Sequence, residues 1–182
     1  PKNAKILEVG CGNSFWLRLI KKHHPKFKLY GLDISKKSVE ISKKYGIDAK
    51  IGDIRKAPYK DNQFDLVFSW GVIEHFDETE EAIKEHIRIT KKRGYAIIDT
   101  PNKNYAGYYE YKSGNALFHH MTAEEQMISI GKFYSAKQLE KMAKTSKYDI
   151  IIKKFFSGPI LPLYKYVKNI DKIIPSFVRN KI

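Results

Sequence analysis

Three carboxylates in the first third of this 182-residue chain sit where they could act on a ligand together. Glu8 lies in the short apolar run Lys5 to Val9, just before the glycine turn Gly10-Cys11-Gly12. Asp33 closes a second run 21 residues after Gly12, and Asp53 closes a third in the stretch IGDI. A carboxylate at the end of a second strand can accept both hydroxyls of a ribose; that arrangement requires a free 2′-hydroxyl and repels a 2′-phosphate. An acid at the end of the third strand is placed to accept from the amino group of an adenine.

The turn itself argues against phosphate. A dinucleotide fingerprint needs a third glycine, and GCGNSF has Phe15 at that position. A triphosphate loop needs Gly-Lys-Ser/Thr at the helix start, and here Asn13-Ser14-Phe15 stands instead. The set that remains, one glycine turn and three strand-end acids, points to an adenosine that carries no phosphate.

The elements that must hold these residues alternate. Lys5 to Val9 reads as β-strand, and Phe15 to Lys22 as helix, with Phe15/Leu19 and Trp16/Ile20 at i,i+4. Phe27 to Leu32 is a second strand. Ser35 caps a helix running through Tyr45 and stopped by Gly46. Asp48 to Ile51 is a third strand, and FDLVFSW, Phe64 to Trp70, is the continuous apolar run of a strand buried on both faces. Asp77 with Glu80 forms a capping box for a helix whose last turn is Lys91-Lys92-Arg93, ahead of Gly94. Tyr95 to Thr100 is the fifth strand, Ser135 with Gln138 opens a helix to about Lys144, and Tyr148 to Phe156 is a sixth strand. This order predicts an α/β fold: a doubly wound, mostly parallel sheet with helices on both faces, in a single domain spanning 1–182. Residues 102–131 lose periodicity and read as an insertion. With no helix before the first strand and no seventh strand, the sheet reads as truncated at one or both ends.

Composition narrows the setting. Lys and Arg outnumber Asp and Glu by 34 to 20, a formal charge of +14, but the lysines are spread along the chain and read as solvated surface. Cys11 is the single cysteine, which excludes an internal disulfide and a cysteine-rich zinc site. No window has the roughly 18 apolar residues of a membrane span, and Pro1-Lys2-Asn3 is not a secretory signal. The expectation is a soluble, cytoplasmic protein.

In this order and spacing, LEVGCGNS, LYGLDIS, IGDI, FDLVFSWGVIEHF and GYAIIDTPN resemble the motifs of class I S-adenosylmethionine-dependent methyltransferases, most closely the type 11 group that includes quinone-biosynthesis enzymes. The resemblance covers roughly Lys5 to Phe156. It implies that Gly10, Cys11 and Gly12 approach the methionine part of the cofactor through backbone atoms, and that Glu8 orients it. It further implies that Asp33 holds the ribose, that Ile34 packs on the adenine, and that Asp53 with Ile54 binds the amino edge. Ser69 and Trp70 would cover the methionine portion. Two departures stand out: Ser14 occupies the place of a third glycine found in many members, and the usual helix before the first strand is missing.

On the acceptor side, methyl transfer needs a positioned lone pair and a proton acceptor. His75, beyond the fourth strand in WGVIEHF, is the candidate base, with Glu74 able to orient it or to hold substrate. Tyr105, Tyr108, Tyr109 and Tyr111 in the insertion are placed to line an acceptor pocket. His119, His120 and Glu124 have metal-ligand chemistry but no metal-site spacing, so no metal is expected. The basic amphipathic tail at about 160–182 could rest on an anionic membrane. The resulting expectation is transfer to a small-molecule or lipid-like acceptor, at oxygen. An RNA methyltransferase is the second reading, disfavoured because SWGV replaces the N/D-P-P-Y/F motif of amino-group methylation. A non-catalytic module that keeps the fold is the third.

Overall fold

The computed structural model of the chain describes residues 3–103 and 131–144. Five strands form one sheet, in the order β3-β2-β1-β4-β5: β1 (Lys5–Val9), β2 (Lys28–Asp33), β3 (Asp48–Ile51), β4 (Phe64–Trp70) and β5 (Thr90–Asp99). All neighbouring pairs are parallel. Helices α1 (Phe15–His23), α2 (Lys36–Lys44), α3 (Thr79–Ile89) and α4 (Ala136–Lys144) supply the crossovers and outer layers. The order reverses beside β1, so the ends of β1 and β4 border the crevice where such sheets take ligands.

Because successive residues of a strand face opposite sides, β1 and β4 feed two cores. Ile6, Leu66 and Phe68 pack with Leu17 and Ile20 of α1, while Leu7 and Val67 pack with Ala82, Ile83 and Ile89 of α3. Both faces of these strands are therefore apolar, which is why FDLVFSW lacks alternation.

Local chemistry sets most boundaries. Ser35 accepts from the Ser38 N–H at 3.3 Å and starts α2; Gly46, at φ 70°, ends it. Ser135 and Gln138 form the expected reciprocal box: the Gln138 N–H donates to Ser135 Oγ at 3.3 Å, and the Ser135 N–H donates to Gln138 Oε1 at 2.9 Å. Around α3 the structure differs from expectation at both ends. Asp77 forms no cap, because its carboxylate pairs with Lys132, and the helix begins at Thr79 with no side-chain cap. The helix also stops at Ile89 rather than Arg93. Thr90 donates its hydroxyl to the His86 carbonyl at 2.6 Å and pairs with Phe64, so Lys91–Arg93 belong to a bulged entry into β5. Gly94 permits that bulge, since a Cβ there would meet the Asp65 carbonyl oxygen at 2.8 Å.

The two ends of the segment expected to be an insertion are held together. The Lys103 N–H donates to the Tyr134 carbonyl at 3.0 Å, and the Tyr134 N–H donates to the Pro101 carbonyl at 3.1 Å. Tyr105, Tyr108, Tyr109, Tyr111, His119, His120, Glu124, the sixth strand and the basic tail lie outside the described residues. Among the described residues, no helix is long and apolar enough to cross a membrane.

Candidate cofactor site

The glycine turn is a backbone structure with its donors already committed. The N–H groups of Gly10 and Cys11 both donate to the Leu32 carbonyl, at 2.8 and 3.2 Å, tying the turn to the end of β2. The Gly12 N–H donates to Asp33 Oδ2 at 2.8 Å, and the Ser14 N–H to the Cys11 carbonyl at 2.6 Å. A phosphate needs several free N–H groups at a helix start, and these four are spent. The turn before α1 thus offers a phosphate few free donors, in addition to the missing third glycine.

Ser14 takes the left-handed conformation at φ 55°, ψ 35°, which a third glycine would adopt freely. It is held there from the side. The Ser14 hydroxyl donates to Ser42 Oγ at 2.6 Å; the Ser42 hydroxyl in turn faces the carbonyls of Ser38 at 2.9 Å and Gly12 at 3.3 Å. Cys11 Sγ lies 3.6 Å from the same Ser42 oxygen, buried against α2, and burial pushes its thiol pKa up. Only the backbone of Cys11 therefore borders the opening. A Cβ on Gly10 would come within 2.5 Å of Val72 Cγ2, whereas one on Gly12 would meet nothing within 4 Å. Open space accordingly lies over Gly12.

Asp33 is oriented and still has capacity. Its Oδ1 accepts from the Ser35 N–H at 2.8 Å and its Oδ2 from Gly12, which leaves a lone pair on each oxygen for a pair of vicinal hydroxyls. Ile34 beside it is 72% exposed, free to cover a planar ring. Glu8 is 3% exposed, with Oε2 unpartnered. Desolvation raises its pKa to about 8 against the opposing N–H of Leu17, with a smaller push from the Asp33 charge. Ser69, in register with Val9, is fully buried with its hydroxyl unpartnered, and Trp70 meets Trp16 at 6.1 Å between ring centroids. Orphaned buried acceptors beside an exposed turn are what a ligand bearing an ammonium and ribose hydroxyls would satisfy.

The third acid differs. Asp53 caps a short 3-10 turn, Ile54–Lys56, and both of its oxygens are taken by Arg55. That guanidinium holds the Asp53 pKa below its ordinary value. Ile54, expected with Asp53 at the amino edge, turns its side chain away from the site. It is 2% exposed and belongs to the core shared by β1 and α3, because the turn after Asp53 points the next residue inward.

Beyond β4, Ile73–His75 forms another 3-10 turn that splits the acid–base pair: His75 is exposed and Glu74 is 3% exposed. Glu74 sits between two left-handed glycines. A Cβ on Gly71 would lie 3.3 Å from its Oε1, and one on Gly131 would lie 2.8 Å from its Cγ. Burial raises its pKa to about 7, Asp99 adding to the rise, and its Oε2 is unpartnered. Sequence reasoning missed Arg55, Ser42 and Val72. Only Arg55, two residues after Asp53, left a local signal.

Residues 1–154 match the profile of a family described as methyltransferase domain. The chain is 31% identical over 117 residues to the ubiquinone biosynthesis O-methyltransferase of Pelagibacter ubique, covering 59% of this chain and 46% of that protein. Against the ubiquinone/menaquinone biosynthesis C-methyltransferase of Desulfotalea psychrophila it is 26% identical, covering 88% and 72%. It is 34% identical to a tRNA (carboxymethyluridine(34)-5-O)-methyltransferase of Xenopus tropicalis, covering 54% and 15%. The chain thus spans less than half the length of two of these three relatives. Among solved structures it resembles a Thermotoga maritima S-adenosylmethionine-dependent methyltransferase described as a possible histamine N-methyltransferase. That likeness has a TM-score of 0.62 at 25% identity, over 79% of this chain and 63% of that one.

Proposed function

We propose, for a chain that belongs to the methyltransferase domain family and whose cofactor is S-adenosylmethionine, that it moves the cofactor's methyl group to oxygen on a small-molecule or lipid-like acceptor. The observation that carries the cofactor half is Asp33, fixed by Gly12 and Ser35 with one free lone pair on each oxygen. When bound, S-adenosylmethionine supplies a methyl group activated on a sulfonium.

The chain's own residues do the rest. Asp33 accepts the two ribose hydroxyls and Ile34 covers the base. Gly12 leaves room for close approach, and Glu8 with Ser69 meets the polar methionine end. Trp70, with Trp16 and the half-exposed Phe15, gives the mouth an aromatic wall suited to a flat or apolar acceptor. His75, exposed beyond β4, takes the acceptor's proton. The likeness to a quinone-pathway O-methyltransferase supports this choice of acceptor and atom.

The RNA reading has one specific support, the likeness to a tRNA methyltransferase. Against it stands the acid content of the mouth, Asp33 above all, since Asp53 and Glu78 are paired with Arg55 and Asp77 with Lys132.

Calorimetric titration with S-adenosylhomocysteine, paired with turnover of a labelled methyl donor on extract fractions, tests the proposal. Asp33→Ala should weaken binding by roughly tenfold or more, the worth of a charged hydrogen-bond pair. His75→Gln should bind normally and lose turnover. Unchanged affinity in the first variant, or unchanged turnover in the second, removes the corresponding role.

A further inference from the structure

Asp53 is the strand-end acid whose capacity is already largely taken. Its Oδ1 accepts from the Arg55 backbone N–H at 2.8 Å and from Arg55 Nε at 3.1 Å. Its Oδ2 accepts from Nε at 3.0 Å and from the terminal nitrogen Nη2 at 2.6 Å. A carboxylate offers about four lone-pair sites; Arg55 brings three N–H groups to them, its single Nε–H shared between the two oxygens, and leaves little capacity for another donor. Asp33, one strand away, keeps two open.

The guanidinium is anchored a second time. Its Nη1 donates to Glu78 Oε2 at 2.6 Å, and the group lies 4.7 Å over the Phe76 ring. Glu78 and Phe76 belong to the segment between β4 and α3, so Arg55 bridges from the base side of the site to the far wall. Glu78 and Phe76 therefore offer a resting place for the guanidinium if it leaves Asp53. The Arg55 backbone N–H keeps Oδ1 oriented whatever the side chain does. Removing the guanidinium would free acceptor sites without unmooring the acid.

We propose that Arg55 is the specificity-determining residue at the base edge of the cofactor site, competing with the adenine amino group for Asp53 and so setting how strongly the site selects adenine over other purines. The inference rests on the S-adenosylmethionine reading above. In the wild-type chain an amino group must displace a donor already in place, so its gain is small. A purine with an oxygen at that position can instead face the Arg55 donors. With Arg55 gone, the same oxygen would face a bare carboxylate and be repelled.

The test compares S-adenosylhomocysteine with S-inosylhomocysteine, whose base carries an oxygen in place of the amino group, by calorimetry on the full chain. Wild type, Arg55→Met and Asp53→Asn are each measured, with thermal melts to confirm folding. Wild type should discriminate weakly. Arg55→Met should bind the adenosyl compound several-fold more tightly and the inosyl compound more weakly, widening the ratio by about tenfold or more, the worth of one charged hydrogen bond. Asp53→Asn should narrow it. A ratio unchanged in a folded Arg55→Met, or weaker adenosyl binding in that variant, overturns the proposal. Failure of the wild type to bind either compound would instead strike the cofactor reading itself.

Discussion

Burial pushes the Glu8 carboxyl up to about 8, and the cost of ionising it is the clearest physical link between site and stability. Its folded pKa of about 8 lies above the ordinary 4.5, chiefly because burial strips its water. The folded state therefore holds a proton that the unfolded state releases between those two values. Stability from this group is complete below about pH 4.5 and lost as pH rises to about 8. Glu74 acts in the same direction, up to about 7. His86 opposes both. Fully buried, with Nδ1 2.7 Å from the Ala82 carbonyl, it has its pKa pushed down to about 4, so its contribution is lost as pH falls from 6.5 towards 4. Replacing Glu8 by Gln keeps the shape of the protonated acid and cannot ionise. Glu8→Gln should therefore melt higher than wild type at pH 8, by a margin on the order of a few kcal/mol, and match it near pH 4.5. Cofactor affinity should fall in the same variant. Melting curves at the two pH values check the first part, and identical pH profiles for both proteins would contradict it.

Between elements, the contact that replaces a third glycine is the α1–α2 hub at Ser42. Ser14 is held at positive φ by donating to Ser42 Oγ, and Ser42 also faces the Gly12 carbonyl. Ser42→Ala should cost about 1–3 kcal/mol, since a buried hydroxyl on Ser14 is left without a partner. Adding Ser14→Gly should recover most of that loss, because glycine needs no side-chain restraint at this conformation. Denaturant midpoints of the two single variants and the double variant decide; simple additivity would show that the two serines do not act as a unit. Nothing in the sequence announced this hub, because Ser42 sits mid-helix and its partner is 28 residues away. Features with local causes were legible. The range of β4 matched expectation because a parallel strand buried on both faces is a continuous apolar run, those of β1 and β3 because Gly10 and Gly52 close them, and the Ser35 and Ser135 caps are decided by residues three apart. The α3–β5 junction was misjudged because Lys91–Arg93 look like a helix end, whereas the helix stops where Thr90 finds Phe64 across the sheet. The burial of the Ile54 side chain was not legible for a related reason: which way a residue points after a strand-end aspartate depends on the turn that follows. For the site, the place of Asp33 at the end of β2 could be read from spacing alone. The pairing of Asp53 with Arg55 could not, since it depends on which side chain the turn folds back onto it.

Across the whole molecule, the direction of the strands separates part of the charge. Among the described residues, Asp33, Asp53, Asp77, Glu78 and Asp99 gather at or beyond the strand ends that border the site. Lys5 and Lys28 begin β1 and β2, and Lys91, Lys92 and Arg93 enter β5, while Lys21, Lys22, Lys43 and Lys44 end α1 and α2. These lysines and Arg93 lie at the end opposite the site; on the site side Lys36, Lys37, Arg55, Lys56 and Lys132 answer the acids, Arg55 and Lys132 in ion pairs, so the mouth gains little of the +14 of the full chain. Coulomb attraction between exposed groups decays over a Debye length of about 8 Å at physiological salt, too short to steer a polyanion from one end of the sheet to the other. Any RNA bound by the lysines opposite the site should thus sit away from the methyl donor. With labelled S-adenosylmethionine, total RNA at about 50 mM salt should be retained by the protein yet take up no label, and retention should fall by orders of magnitude near 200 mM. Transfer to an uncharged acceptor should persist across that range, because binding at Asp33 and the aromatic wall does not depend on counterion release. Label in RNA that survives the higher salt would reverse the assignment of acceptor while leaving the cofactor site as described.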